Sequence, residues 1–442
     1  MRIGKSFWLS CLLILFVSAS FVETGVSESS SKVEIREDSI VLKRIGPKRR
    51  FGGFPNGVLY SQANQSPKTV VIFIHPESDR RNDWHCMPLA KRGFAAFGFA
   101  TRYVKEDRHL IMEEVLLDLA EAIRFLKKER GFSHVVLQGH SGGGGVVAYY
   151  QNQAEKRAPH RISHTPAGDP PNLNEYNLPP VDGLIISAAH VGRGYAVSRK
   201  IDPSVVDEED PLSVDPTLDP FNPENGFRLA PQSSQFSEDF IKRFNIAQKA
   251  RMNRLIAKAR EMVAERKMYQ QLLEAPGFKD RSLKEQLRIQ RGAVLQRYMT
   301  IYRNFANLYY LDLSIDPNDR VLGGLGDYRP DLRNYYAHFH PRNIIPEAFL
   351  SAESLASNVF TPKLLPEVTV PLLVILGSAD PSARIGESQA HYDSSGSKDK
   401  QFVLIEGADH GYLPAGPKAG KGDQREQTIE VLSNWLEKRF PR

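Results

Sequence analysis

Apolar and polar positions along this chain change rhythm twice. From about residue 39 to 190, short runs of apolar residues alternate with longer stretches of helical spacing. "SIVLKRI" (39–45) and "GVLYSQ" (57–62) alternate loosely, while "KTVVIFIH" (68–75), "GFAAFGFATR" (93–102), "HVVLQG" (134–139) and "VDGLIISAAH" (181–190) are nearly continuous, as strands buried on both faces must be. "LIMEEVLLDLAEAIRFLKKERGF" (110–132) repeats its apolar residues every three or four positions and ends on basic groups, which predicts a helix. A second helix is predicted over 143–156. The same rhythm returns at "VPLLVILGSAD" (370–380) and "KQFVLIEGADH" (400–410) and closes on an amphipathic helix over 425–440. Strands alternating with helices imply an α/β fold: a mostly parallel sheet covered on both faces.

Between 191 and 365 the alternation stops. An acidic, proline-rich loop (201–226) leads into helical stretches at 237–274 and 283–308, and then into the aromatic and basic segment "DLRNYYAHFHPRNI" (331–344). This stretch reads as a large helical cap inserted between two late strands. The predicted organisation is therefore a core in two parts, 38–190 and 366–442, with a cap or lid over 191–365. The basic helix 249–267 interleaves its charges with an apolar stripe and reads as a face of the cap.

The first residues stand apart. Arg2 and Lys5 precede the apolar run "FWLSCLLILFV" (7–17), and "VSAS" offers a small-residue cleavage site after Ala19. This is the pattern of a secretory signal peptide over 1–19, followed by a polar leader over 20–37. The apolar run falls short of the roughly 20 residues that a spanning helix needs, so the mature chain is expected to carry no integral membrane span. Export to the periplasm follows as the expected localisation. Of the two cysteines, Cys11 lies in the signal, so Cys86 is left alone and no internal disulfide framework is expected. The formal charge of +6 is spread over interspersed acidic and basic stretches, which excludes a nucleic-acid footprint.

Candidate chemistry centres on Gly139-His140-Ser141-Gly142-Gly143. The sequence matches G-x-S-x-G in the context that motif requires, a strand turning sharply into a helix. The glycines remove side chains that would clash in so tight a corner, and the turn lifts the Ser141 hydroxyl above the sheet edge. There the backbone N–H of Gly142, at the helix start, can face a developing oxyanion. A serine needs a base, and the base needs a carboxylate to hold its tautomer. Chain order Ser, Asp, His is satisfied by Asp380 and His410, each just past the carboxyl end of a buried strand. Asp409 adjoins His410 too closely to reach its far nitrogen.

The sheet, the serine corner, the acid loop and the histidine loop together resemble the α/β-hydrolase superfamily of serine hydrolases, over roughly residues 38–190 and 365–440. "QGHSGGGGVVAYYQNQAEK" and "IDPSVVDEEDP" also look like a bacterial, large-cap subgroup of these enzymes. That resemblance brings no substrate with it. The family commonly places His-Gly-x after its third strand, with x donating a second oxyanion N–H. Here the loop reads His75-Pro76-Glu77, so the carry-over falls on the Glu77 backbone, with its carboxylate turned aside or paired with Arg80 or Arg81. His75 is expected to hydrogen-bond around this loop.

His190 and Arg193, leaving the strand 181–190, are expected to form a substrate-binding wall, Arg193 meeting a substrate carboxylate. A solvated or ion-paired loop fits Arg193 equally well. The aromatic residues Tyr302, Phe305, Tyr309, Tyr310, Tyr335, Tyr336 and Phe339 are expected mainly in the core, with some lining a cleft. The acidic run 207–210 lacks the layout of a calcium loop and reads as solvated or salt-bridged, and His338 and His340 have no accompanying ligands for zinc. The sequence thus predicts an exported serine hydrolase that needs no cofactor and no metal. Its partner would be a small-molecule ester, aromatic or anionic. Amide, peptide or carbon–carbon bond cleavage by the same groups, or a non-catalytic binding protein on the scaffold, stay open.

Overall fold

The apolar runs pair into one sheet. A computed structural model describes residues 33–49, 51–324, 329–336 and 340–442. The predicted signal segment, most of the leader, His338 and Phe339 lie outside the described residues. Eight strands form the sheet: β1 (Ile35–Val41), β2 (Asn56–Gln62), β3 (Thr69–Ile74), β4 (Ala95–Ala100), β5 (His134–His140), β6 (Gly183–Ser187), β7 (Leu372–Gly377) and β8 (Lys400–Ile405). Their order is β1-β2-β4-β3-β5-β6-β7-β8. β2 runs antiparallel to β1 and β4, and every other neighbouring pair is parallel. This is the α/β-hydrolase fold that the sequence resembles.

Alternation inside the buried strands sorts the core into two layers. Val70, Ile72 and Ile74 of β3, Val135 and Leu137 of β5, and Leu184 and Ile186 of β6 enter one apolar cluster. They pack there with α2 (Met112–Lys128) and α3 (Gly142–Glu155). Val71 and Phe73 of β3, Val136 of β5 and Ile185 of β6 enter the other cluster. There they meet α1 (Cys86–Lys91) and the closing helix α8 (Gln424–Glu437), which supplies Leu432, Trp435 and Leu436. Cys86 is a buried free thiol of this second layer.

The chain leaves the sheet after β6 and returns only at β7. In between lie α4 (Arg193–Ser198), α5 (Glu238–Glu274) and α6 (Leu283–Val294), and between β7 and β8 lies α7 (Ile385–Ser394). Ser237 caps α5 by accepting from the N–H of Phe240. The helix buries a stripe through Phe240, Phe244, Gln248, Met252, Leu255, Ala259 and Val263. Arg251 is buried on the same stripe and pairs with Glu208 while donating to the carbonyls of Asp202, Tyr302 and Arg303. Glu209 pairs with Lys258, so these two residues of the acidic run are salt-bridged to α5. Residues Glu34–Arg442 form one compact unit. Among the described residues no helix is long and apolar enough to cross a membrane.

Two boundaries differ from the sequence reading. β1 begins at Ile35, inside the stretch read as polar leader, because its residues pair in register with β2 from Ile35–Gln62 to Val41–Asn56 and stay largely exposed at the sheet edge. The helix expected to run to 308 ends at Val294. Downstream, Met299–Thr300 pairs with Asn343–Ile344, and the N–H of Ile301 donates to Arg342. Tertiary partners hold this segment extended against its helical spacing.

Candidate active site

Ser141 sits between β5 and α3 with φ 55° and ψ −118°, a conformation that side-chain-bearing residues rarely adopt. Its own N–H donates to Ser187 of β6 at 2.9 Å, and its carbonyl accepts from Gly144 at 3.1 Å, so the turn is fixed on both sides. The neighbouring glycines are required sterically. A Cβ on Gly139 would lie 2.2 Å from the Gly143 carbonyl oxygen, and one on Gly143 would lie 2.2 Å from that of Ile74.

The loops after β7 and β8 bring the other two residues to this corner. The imidazole of His410 stands 3.0 Å from Ser141 Oγ through Nε2 and 2.8 Å from Asp380 Oδ2 through Nδ1. A carboxylate only accepts, so Nδ1 carries the proton and Nε2 is left to accept from the serine hydroxyl. Asp380 is fully buried, and its Oδ1 accepts from the N–H groups of Ser382 at 2.7 Å and Ala383 at 3.0 Å. Asp409 serves its own loop, accepting from Gly411 and Leu413.

Burial sets the protonation of the surrounding rings. His140, whose ring centroid lies 4.9 Å from that of His410, and His75 are both pushed well below the usual histidine range by loss of water. Both are therefore neutral near pH 7. His75 Nδ1 accepts the N–H of Ser78 at 3.1 Å, bracing the loop after β3 as expected. That loop rests on the start of α3: a Cβ on Gly142 would come within 3.0 Å of His75 Nε2 and 3.5 Å of Pro76. As the first residue of α3, Gly142 has no intrahelical acceptor for its N–H.

Glu77 and Arg193 meet in a way the sequence did not indicate. The Glu77 carboxylate pairs with Arg193, while Arg80 pairs with Asp83 and Arg81 with Asp79. Of the two alternatives left for the Glu77 carboxylate, turned aside or paired with Arg80 or Arg81, the pairing is not found. Arg193, expected to stand ready for a substrate carboxylate, is buried and also pairs with Glu353. Two protein carboxylates already share its guanidinium. His190 lies 3.4 Å from Glu387 of α7 and 3.3 Å from the hydroxyl of Ser382, so its ring is tied to the acid loop and the helix that follows it.

Ser141, Gly142, His410, Glu77, His190 and Arg193 line one cavity of about 200 Å³. Lys200 and His340 line it as well. Burial, reinforced by the neighbouring Arg193, pulls the Lys200 ammonium down to about 7. No motif surrounds Lys200, and His340 stood out in the sequence only as half of a His-x-His pair without further metal ligands. Of the aromatic residues singled out above, none that is described is in this lining. Phe305, Tyr309 and Tyr310 are buried, and Tyr309 lines a separate cavity of about 470 Å³. Tyr335 and Tyr336 are exposed.

No protein-family model and no curated protein matches the chain in sequence. Among solved structures, the chain is similar to the α/β-hydrolase GrgF from Penicillium sp. sh18, with 11% identity, 92% of this chain and 99% of that one covered, and a TM-score of 0.47. It is also similar to the esterase domain of a Rhodothermus marinus protein (12%, 92% and 98%, TM-score 0.40) and to a Paleococcus ferrophilus monoacylglycerol lipase (14%, 92% and 99%, TM-score 0.38). At these identities a likeness reaches no further than the fold, which the strand order defines independently.

Proposed function

We propose that this chain is a serine hydrolase that cleaves a carboxylic ester through an acyl-enzyme. The observation that carries the reading is the imidazole of His410 set between Ser141 Oγ at 3.0 Å and Asp380 at 2.8 Å, beside a cavity. Ser141 attacks the ester carbonyl while His410 Nε2 takes its proton, and Asp380 stabilises the imidazolium that forms. The N–H groups of Gly142 and Glu77 hold the oxyanion. As the tetrahedral species collapses, His410 returns the proton to the leaving alcohol. Water then enters, gives its proton to His410 and releases the acid, restoring Ser141. The mainly polar lining of a 200 Å³ cavity favours a small acyl group. The N-terminal pattern supports export of the mature enzyme after cleavage at Ala19.

Replacing Ser141→Ala removes the nucleophile and is expected to lower turnover of an aryl ester by ~10⁴-fold or more. An organophosphonate should label the wild-type protein at Ser141 and leave the variant unlabelled. Hydrolysis by Ser141→Ala at the wild-type rate excludes the mechanism, and an unlabelled wild type favours a binding protein on the same scaffold. A panel of esters and amides of graded acid size decides between ester and amide cleavage.

A further inference from the structure

Part of the wall of the cavity beside Ser141, Glu77 and Arg193, is tied by an interaction that crosses from the core to the inserted segment. Pro76 and Glu77 share one trans peptide. Its carbonyl, that of Pro76, accepts from the hydroxyl of Thr101 at 2.5 Å, and Thr101 is buried just past β4. In a trans peptide the C=O and N–H point in opposite directions. Anchoring the carbonyl on Thr101 therefore turns the Glu77 N–H away from β4. The side chain of the same residue is tied from the other side by Arg193, which follows β6. Arg193 is tied in turn to Glu353. Glu353 ends a π-helical turn, Phe349–Glu353, and lies 3.1 Å from His340. Burial pushes the Glu353 carboxyl up, but Arg193 and His340 outweigh it and hold it at about 2, so the pair is ionised at neutral pH. Single π-helical turns are rare and occur frequently at functional sites.

We propose that Thr101 and the Arg193–Glu353 pair are positioning residues that fix the Pro76–Glu77 peptide, so that its N–H faces the developing oxyanion above Ser141. The inserted segment then completes the oxyanion site through Glu353, besides covering it. This rests on the serine-hydrolase reading above. It also accounts for a carboxylate side chain next to a site of developing negative charge: the Arg193 guanidinium compensates it, and the carboxylate is the handle by which the loop is held.

The test uses the purified protein, active sites counted by organophosphonate labelling of Ser141, an activated aryl acetate as substrate, and phenylboronic acid as a mimic of the tetrahedral species. Glu77→Ala keeps the backbone N–H and removes only the tether. It should lower kcat per labelled site ~10-fold or more, below the 10²–10³-fold typical of losing an oxyanion donor outright, with KM within about twofold. Boronate affinity should fall by the same factor as kcat/KM. Glu77→Gln, which can still accept from Arg193, should recover most of the loss. Thr101→Val and Arg193→Met should act in the same direction. Should Arg193→Met fail to fold, Glu77→Ala decides by itself, since Glu77 is partly exposed. Unchanged kcat and boronate affinity in labelled Glu77→Ala overturn the tether and leave the hydrolase reading standing, whereas a wild type that the phosphonate does not label removes the ground for both.

Discussion

Ser141, Asp380 and His410 illustrate what single residues reveal before folding. Each follows an apolar run, buried before Ser141 and Asp380 but only partly so before His410, and chain order alone pairs them. Their distances follow from the sheet, because β5, β7 and β8 are parallel and end on one edge. Asp380→Asn isolates the acid's role in the proposed mechanism. The amide can still occupy the pocket made by the Ser382 and Ala383 N–H groups. Its NH₂ would, however, favour the wrong histidine tautomer, so kcat should fall ~10⁴-fold while the fold persists. Wild-type kcat in that variant, at unchanged thermal stability, would remove Asp380 from the scheme. Glu353, Lys200 and Thr101 were not legible at this scale. An isolated carboxylate, ammonium or hydroxyl in an irregular segment carries no periodicity and no motif, and only the folded chain shows what it touches.

At the scale of elements, buried strands were the clearest part of the sequence. A strand covered on both faces must be largely apolar, and β3, β6 and β7 are, while β5 is apolar through Val135, Val136 and Leu137 before it turns polar toward the serine corner. The edge strand β1 was misplaced because half of its residues face water, so hydrophobicity says little about its limits. Helix α7 went unread for a similar reason: its apolar residues are few and follow no stripe. The turn into α3 is the element most tightly constrained by sequence. Gly143→Ala would drive a methyl group into the Ile74 carbonyl, an atom of the central strand that cannot move aside. We expect a loss of about 1–3 kcal/mol in urea unfolding, the usual cost of overpacking, together with a drop in the fraction of phosphonate-reactive serine. Stability and labelling equal to wild type would show that the corner is looser than these distances imply.

Across the whole molecule, folding removes several imidazoles from water, and this gives stability a pH dependence. His391 is fully buried between Thr361 and the Ala189 carbonyl, and burial pulls it down to about 4 against the opposing pull of Glu387 on the same helix. His340 is likewise pulled to about 4 by burial, against the opposing pull of Glu353. Between about pH 6.5 and 4 the unfolded chain binds protons that the folded chain refuses. The histidine contribution to stability therefore falls as pH drops through that window, by at most about 1.4 kcal/mol per pH unit for each such histidine, and is constant below it, where the depressed Glu353 carboxyl takes over. His391→Gln should take one histidine's share out of the slope when urea unfolding is compared at pH 5, 6 and 7. An unaltered slope would mean that His391 does not titrate on unfolding.

The sequence by itself determined the layered α/β core, the strained serine corner and the order of the three residues that meet there. Local sterics and the need to bury apolar strands leave a chain of this pattern few other arrangements. Only the tertiary structure decided how the long segment between β6 and β7 is used. Its Met299–Thr300, read at helical spacing, pairs instead with Asn343–Ile344, its acidic run closes on Arg251 and Lys258, and its Glu353 reaches Arg193 and, through it, the loop after β3. Those contacts join residues far apart in the chain through charge and hydrogen bonding. Such pairings depend on where the backbone has already been placed, and no periodicity in the sequence records them.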